Sequence, residues 1–190
     1  MGDLLMMRRK EILAAVVGPM LAAVSLIAFG VSAQPQGIQQ QEVPNNPAVP
    51  APPEQPIPYS HKTHLAHGLE CQTCHANPDP GDLMTFPAAS TCMTCHNTVA
   101  KDKPAIGKLA QFVQSQQPIP WVRVYSVQPG VQWSHRKHIQ AGVKCETCHG
   151  PVAEMDAMAM VTSVTAMGTC INCHQMNNAK TVCKTCHLWP

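Results

Sequence analysis

Trp133-Ser-His-Arg-Lys-His-Ile-Gln-Ala-Gly-Val-Lys-Cys-Glu-Thr-Cys-His149 sets the pair His135 and His138 ahead of a Cys-x-x-Cys-His motif. The closing five residues occur five times, at Cys71–His75, Cys92–His96, Cys145–His149, Cys170–His174 and Cys183–His187. Together they use all ten cysteines: Cys71, Cys74, Cys92, Cys95, Cys145, Cys148, Cys170, Cys173, Cys183 and Cys186.

Two thiols at that spacing can bond covalently to a haem edge, and the next residue can put an imidazole on its iron. The motifs therefore predict five covalently bound haem c groups with His75, His96, His149, His174 and His187 on the irons. Three other uses of paired cysteines compete. The gap from Cys74 to Cys92 fits a zinc-ribbon spacing. Zinc, however, does not require a histidine after every second cysteine, and five pairs leave one over. A thioredoxin-like motif needs a βαβ scaffold, and a disulfide framework ignores the repeated histidine. Charged residues make up 13% of the chain and aromatics 4%, low for a domain with its own packed core. Covalent cofactors are then expected to staple the fold together.

Upstream, the quoted stretch has a twin. Tyr59-Ser-His-Lys-Thr-His-Leu-Ala-His-Gly-Leu-Glu-Cys71 aligns without gaps with Trp133 to Cys145. Each copy has an aromatic, a serine, His-x-x-His and then two motifs, and the Cys183 motif is appended to the second. The plan is two sites plus three. A second imidazole on an iron that already holds one closes the site to substrate. On a helix, His61 and His64 can reach two different irons, as can His135 and His138.

The chain has ten histidines, so His67 is the fifth outside the motifs, but it aligns with Ala141. Methionine is the competing ligand. Met93, Met155, Met158, Met160 and Met176 read as packing residues; Met167 and Met84 are the stronger ligand candidates. A histidine–methionine haem sits at a higher potential than a bis-histidine one.

Residues 1–11 carry Arg8, Arg9 and Lys10, and residues 12–33 are uncharged. That length spans a bilayer as one helix, with the basic cluster on the cytoplasmic side and residues 34–190 outside. Val31-Ser32-Ala33 also resembles a signal cleavage site, but the apolar run exceeds a signal's core. Residues 34–58 hold eight of 18 prolines and read as an extended tether, or as a strap along a partner. Residues 59–190 form the pentahaem domain: a two-haem unit 59–96, a connector 97–132 and a three-haem unit 133–187. In the connector, Lys103 to Ser115 predicts a helix with Ile106, Leu109, Phe112 and Val113 on one face. Pro120 to Val127 alternates like a strand and Pro129-Gly130 reads as a turn. No nucleophile–base pair or phosphate loop is visible, so no catalytic residue is named. Residues 34–190 carry ten basic and nine acidic side chains, which disfavours a nucleic-acid partner.

These residues resemble the membrane-anchored pentahaem cytochrome c subunit of bacterial alternative complex III, a quinol-oxidising complex. Ile119-Pro-Trp-Val-Arg-Val124, Trp133 to His138, Cys145 to Asp156 and Met167 to His174 carry the likeness. The second copy is also similar to trihaem class III cytochromes. The resemblance implies one N-terminal transmembrane helix plus a loop-rich, mainly α, class III-like multihaem domain. It pairs His61 with His75, His64 with His96, His135 with His149 and His138 with His174. It leaves the His187 iron between Met167 and His67. It implies an electron-relay subunit rather than an enzyme, on the outer face of the bacterial cytoplasmic membrane. The implied partners are an iron–sulfur/molybdopterin-like subunit, polytopic quinone-binding subunits, a monohaem cytochrome and a soluble acceptor. A stand-alone anchored quinol dehydrogenase feeding a periplasmic reductase is the alternative. A multihaem reductase with one open iron is a third.

Overall fold

A computed structural model describes residues 37–39 and 43–188. The membrane helix expected over residues 12–33 lies outside them, and among the described residues no helix is long and apolar enough to cross a membrane. The fold is short helices on long loops: α1 His61–Ala66, α2 Cys71–Cys74, α3 Ala89–His96, α4 Pro104–Ser115, α5 His135–Gln140, α6 Cys145–His149, α7 Met167–Met176 and α8 Cys183–Cys186. A 3₁₀ turn, Val152–Glu154, follows α6. Among the described residues, strand is limited to two isolated antiparallel bridges, Asn45 to Thr162 and Val131 to His187.

The helices start where local chemistry demands. Ser60 caps α1 and Ser134 caps α5, their hydroxyls accepting from Thr63 N at 3.1 Å and Lys137 N at 3.4 Å. Pro104 opens α4, where its missing N–H costs nothing. α4 is the expected connector helix, and α3 packs against it. Leu109, Ala89, Ile57 and Ile119 form the buried centre, with Ile106, Phe112 and Trp121 against it. Val113, expected on the same face, is 40% exposed. Among the described residues only six hydrophobic side chains are buried, Val43 and Ala159 being the other two. A core that small does not hold a chain of this length by itself.

Two readings are corrected. Pro120 to Val127 is not a strand, because no neighbouring strand among the described residues offers it a ladder. One side chain replaces the ladder: Gln55 Nε2 donates to Val122 O at 2.8 Å, and Val122 N donates to Gln55 Oε1 at 2.9 Å. Trp121 Nε1 donates to Pro87 O at 3.3 Å and pins the segment beside α3. Within the described residues the stretch before residue 59 is not a loose tether. From Val43 onward it straps this same domain. Asn46 N donates to Val161 O at 2.8 Å, Ser163 N to Pro44 O at 2.8 Å, and Ile57 is buried in the centre. Prolines suit such a strap, since most of its bonds come through side chains or single carbonyls.

Candidate functional site

Each Cys-x-x-Cys-His motif winds into a helical turn. Positions i, i+3 and i+4 then share a side, so both sulfurs and the imidazole face one way. Burial raises the thiols of Cys74, Cys92 and Cys170 and pushes Cys148 up to about 11. Burial of this kind disfavours a free reactive thiolate at these positions. Among the described residues no three His, Cys, Asp or Glu side chains converge as a metal-ion cluster.

The imidazoles instead come in twos. His61 faces His75 with ring centroids 6.4 Å apart and planes 9° from parallel. His135 faces His149 at 6.4 Å and 4°. His64 stands 6.1 Å from His96, and His138 stands 6.0 Å from His174. Two metal–imidazole bonds of about 2 Å, with half a ring beyond each, need a centroid spacing of roughly 6.3 Å. The four pairs fit an iron between each.

Outer contacts aim these rings. Nδ1 donates to a backbone carbonyl in His75 (Thr85 O, 2.8 Å), His96 (Val99 O, 2.9 Å) and His174 (Lys180 O, 2.8 Å). His64 and His138 donate to Ser60 O and Ser134 O, both at 2.8 Å. A carbonyl can only accept, so the proton sits on Nδ1 and Nε2 keeps its lone pair for a metal. Burial also lowers the pKa of His61 and His138 and takes that of His149 down to about 4. The metal-binding neutral form is thereby held. The aromatic that opens each repeat is a wedge. Tyr59 stacks on His64 at 4.3 Å and meets His61 edge-on at 4.8 Å. Trp133 does the same to His138 at 4.2 Å and His135 at 5.4 Å.

Sequence reasoning missed the support given by the loop after each copy's first motif. His135 N and Nδ1 both donate to Asp82 O, at 3.2 and 2.9 Å, and Arg136 N donates to Gly81 O at 3.0 Å. In return Lys62 N donates to Met155 O at 3.0 Å and Ser60 Oγ to Asp156 Oδ1 at 2.8 Å. Gly81 and Met155 hold the same place in the two copies, as do Asp82 and Asp156. The signal was present as Asp82-Leu-Met84 and Asp156-Ala-Met158, in register with the rest of the repeat. His61 departs from its twin: its buried Nδ1 has no partner among the described residues.

The fifth motif stands apart. α8 is tied to the segment before Trp133 by Gln132 N to Cys186 O at 2.7 Å and Leu188 N to Gly130 O at 2.9 Å. Of the two candidate ligands for its iron, Met167 opens α7 at 63% exposure, and His67 ends α1 as an exposed C-cap. Neither takes part in the four ring pairs. Met84 lies half-buried in the loop after the first motif.

Residues 131–188 match the family described as cytochrome c7 and related cytochrome c, and residues 63–121 match cytochrome c3. Both segments are multihaem cytochrome c domains. Such domains bind c-type haem covalently and carry electrons. The c3-like segment contains the first two motifs and the c7-like segment the other three. No curated protein matches the chain.

Proposed function

We propose that the chain is a five-haem electron relay whose four paired sites are closed on both sides by imidazole. The four ring spacings of 6.0–6.4 Å carry this reading. A haem held between two imidazoles supplies one-electron exchange at a low-spin iron. The protein's part is positional. Cys71/Cys74, Cys92/Cys95, Cys145/Cys148, Cys170/Cys173 and Cys183/Cys186 would fix the edges of the five groups. His75/His61, His96/His64, His149/His135 and His174/His138 would hold the irons, with His187 on the fifth. Rings locked by backbone carbonyls and aromatic wedges move little when charge changes, and they leave no coordination position for a substrate.

The relay is assigned to the outer face of a bacterial membrane, as a subunit of a quinol-oxidising complex of the alternative complex III kind. The uncharged run 12–33 behind Arg8, Arg9 and Lys10 supports the anchor, and the stretches of resemblance support the complex. Electrons would then pass from quinone-binding and iron–sulfur partners to a monohaem cytochrome or a soluble acceptor. Purification in mild detergent tests this: polytopic and iron–sulfur subunits are expected to co-purify. Recovery of the chain alone with quinol oxidation intact would favour a stand-alone dehydrogenase. A high-spin ferric signal from one of the four paired irons would instead revive a substrate-binding reductase.

A further inference from the structure

Number the sites by motif, so that site 1 holds Cys71, Cys74, His75 and His61, and site 5 holds Cys183, Cys186 and His187. Within the first copy, α1 sends His61 to site 1 and His64, one turn on, to site 2. Within the second, α5 sends His135 to site 3 and His138 to site 4. Sites 1 and 2 are therefore neighbours, and so are sites 3 and 4.

The copies meet through the exchange of loops described above. The loop leaving site 1 carries Gly81 and Asp82 onto α5, which supplies His135 to site 3. Arg136 locks it there, with Nη2 donating to Asn77 O at 3.0 Å and Nη1 paired with Asp79. The loop leaving site 3 carries Met155 and Asp156 onto α1, which supplies His61 to site 1. Each site thus depends on the loop of the other. Site 5 joins the other end: Gln132 N donates to the Cys186 carbonyl, and the next residue, Trp133, stacks on His138 of site 4. Site 2 is backed by α4.

We propose that the electron path through this chain runs 2–1–3–4–5, out of sequence order, with sites 2 and 5 as its ends. The proposal rests on the relay reading. The join between the copies lies at sites 1 and 3, and the path has to cross there.

The full chain with its haems in detergent provides the test. Soret bands of neighbouring haems couple and give a two-signed circular dichroism signal that fades steeply with distance. Cys71→Ser/Cys74→Ser, which leaves out the site 1 haem, breaks two couplings; Cys92→Ser/Cys95→Ser breaks one. About a twofold larger loss of the couplet is expected in the first variant. An equal loss, or a larger one in the second, overturns the order. Ligand exchange keeps all five haems and gives an independent readout. His61→Met raises the site 1 potential, so that iron is reduced first. Its added electron then repels reduction of its neighbours. Two midpoints should fall in His61→Met and one in His64→Met; equal numbers or the reverse overturn the proposal. Haem count by mass and low-spin resonance in the unsubstituted protein are read first. Fewer than five haems, or high-spin iron at sites 1–4, fails the relay itself. Five low-spin haems with a reversed variant pattern fails only the order.

Discussion

The imidazoles of His135 and His149 lie 4° from parallel with their centroids 6.4 Å apart, although they belong to separate helices, α5 and α6. Their counterparts His61 and His75 repeat the arrangement at 9° and 6.4 Å. Parallel rings at one spacing in two copies show that the geometry belongs to the repeat. Trp133 and Tyr59 set it from one side, and the partner copy's loop sets it from the other.

Removal of a cap should open one iron. His61→Ala keeps all five covalent attachments, so the haem count by mass stays at five. One low-spin signal should convert to high-spin, because no second imidazole reaches the His75 side. Electron paramagnetic resonance checks it; five low-spin signals in the variant would refute the pairing.

The two serine caps also tie the copies together, Ser60 through Asp156 and Ser134 through the Gly81 carbonyl. Ser60→Ala and Ser134→Ala each lose an N-cap bond and one bond across the copies, at a cost of about 1–2 kcal/mol. Thermal melting should fall by a few degrees in each, with spectra unchanged.

Gly81 has no room for a side chain. Its φ is +92°, and an added Cβ would stand 2.5 Å from Arg136 Nε and 2.7 Å from Arg136 Cβ. Gly81→Ala should therefore cost about 2–3 kcal/mol in a denaturant titration. Gly107 lies mid-helix in α4 with nothing within 4 Å. Gly107→Ala should gain about 0.5–1 kcal/mol. The opposite signs separate backbone strain from a general intolerance of alanine.

Tyr59 links stability to alkaline pH. Its phenol ionises at 10.0 when unperturbed and at about 12 here, chiefly because it is buried. The folded state holds the proton more tightly, so this contribution is whole below pH 10 and is lost as pH rises to about 12. Tyr59→Phe should flatten the alkaline fall in melting temperature over that window. An unchanged slope would place the phenol in solvent.

The strap should loosen when one of its clamps, Gln55, is removed. Gln55→Ala loses both bonds to Val122, about 1–2 kcal/mol in sum. Proteolysis within residues 43–58 should accelerate several-fold while the haem count stays constant. Unchanged cleavage would mean that Asn46 and Ile57 alone hold the strap.

The amino-acid sequence by itself made the candidate sites legible. Five Cys-x-x-Cys-His motifs, the two His-x-x-His pairs and the serines that cap them are local patterns, complete within a turn or two of helix. Their chemistry is readable from spacing, and so was α4, whose Pro104 start and apolar face need no partner to be recognised. What joins distant segments was decided only by the tertiary structure. Gln55 takes the place of a strand partner for Val122, far along the chain, so alternation alone misled there. Asp82 and Asp156 sit in loops and support rings in the opposite copy, a role no local periodicity announces. The meeting of sites 1 and 3 arises from the same exchange: once two copies trade loops, their first sites must abut, whatever order the motifs take along the chain.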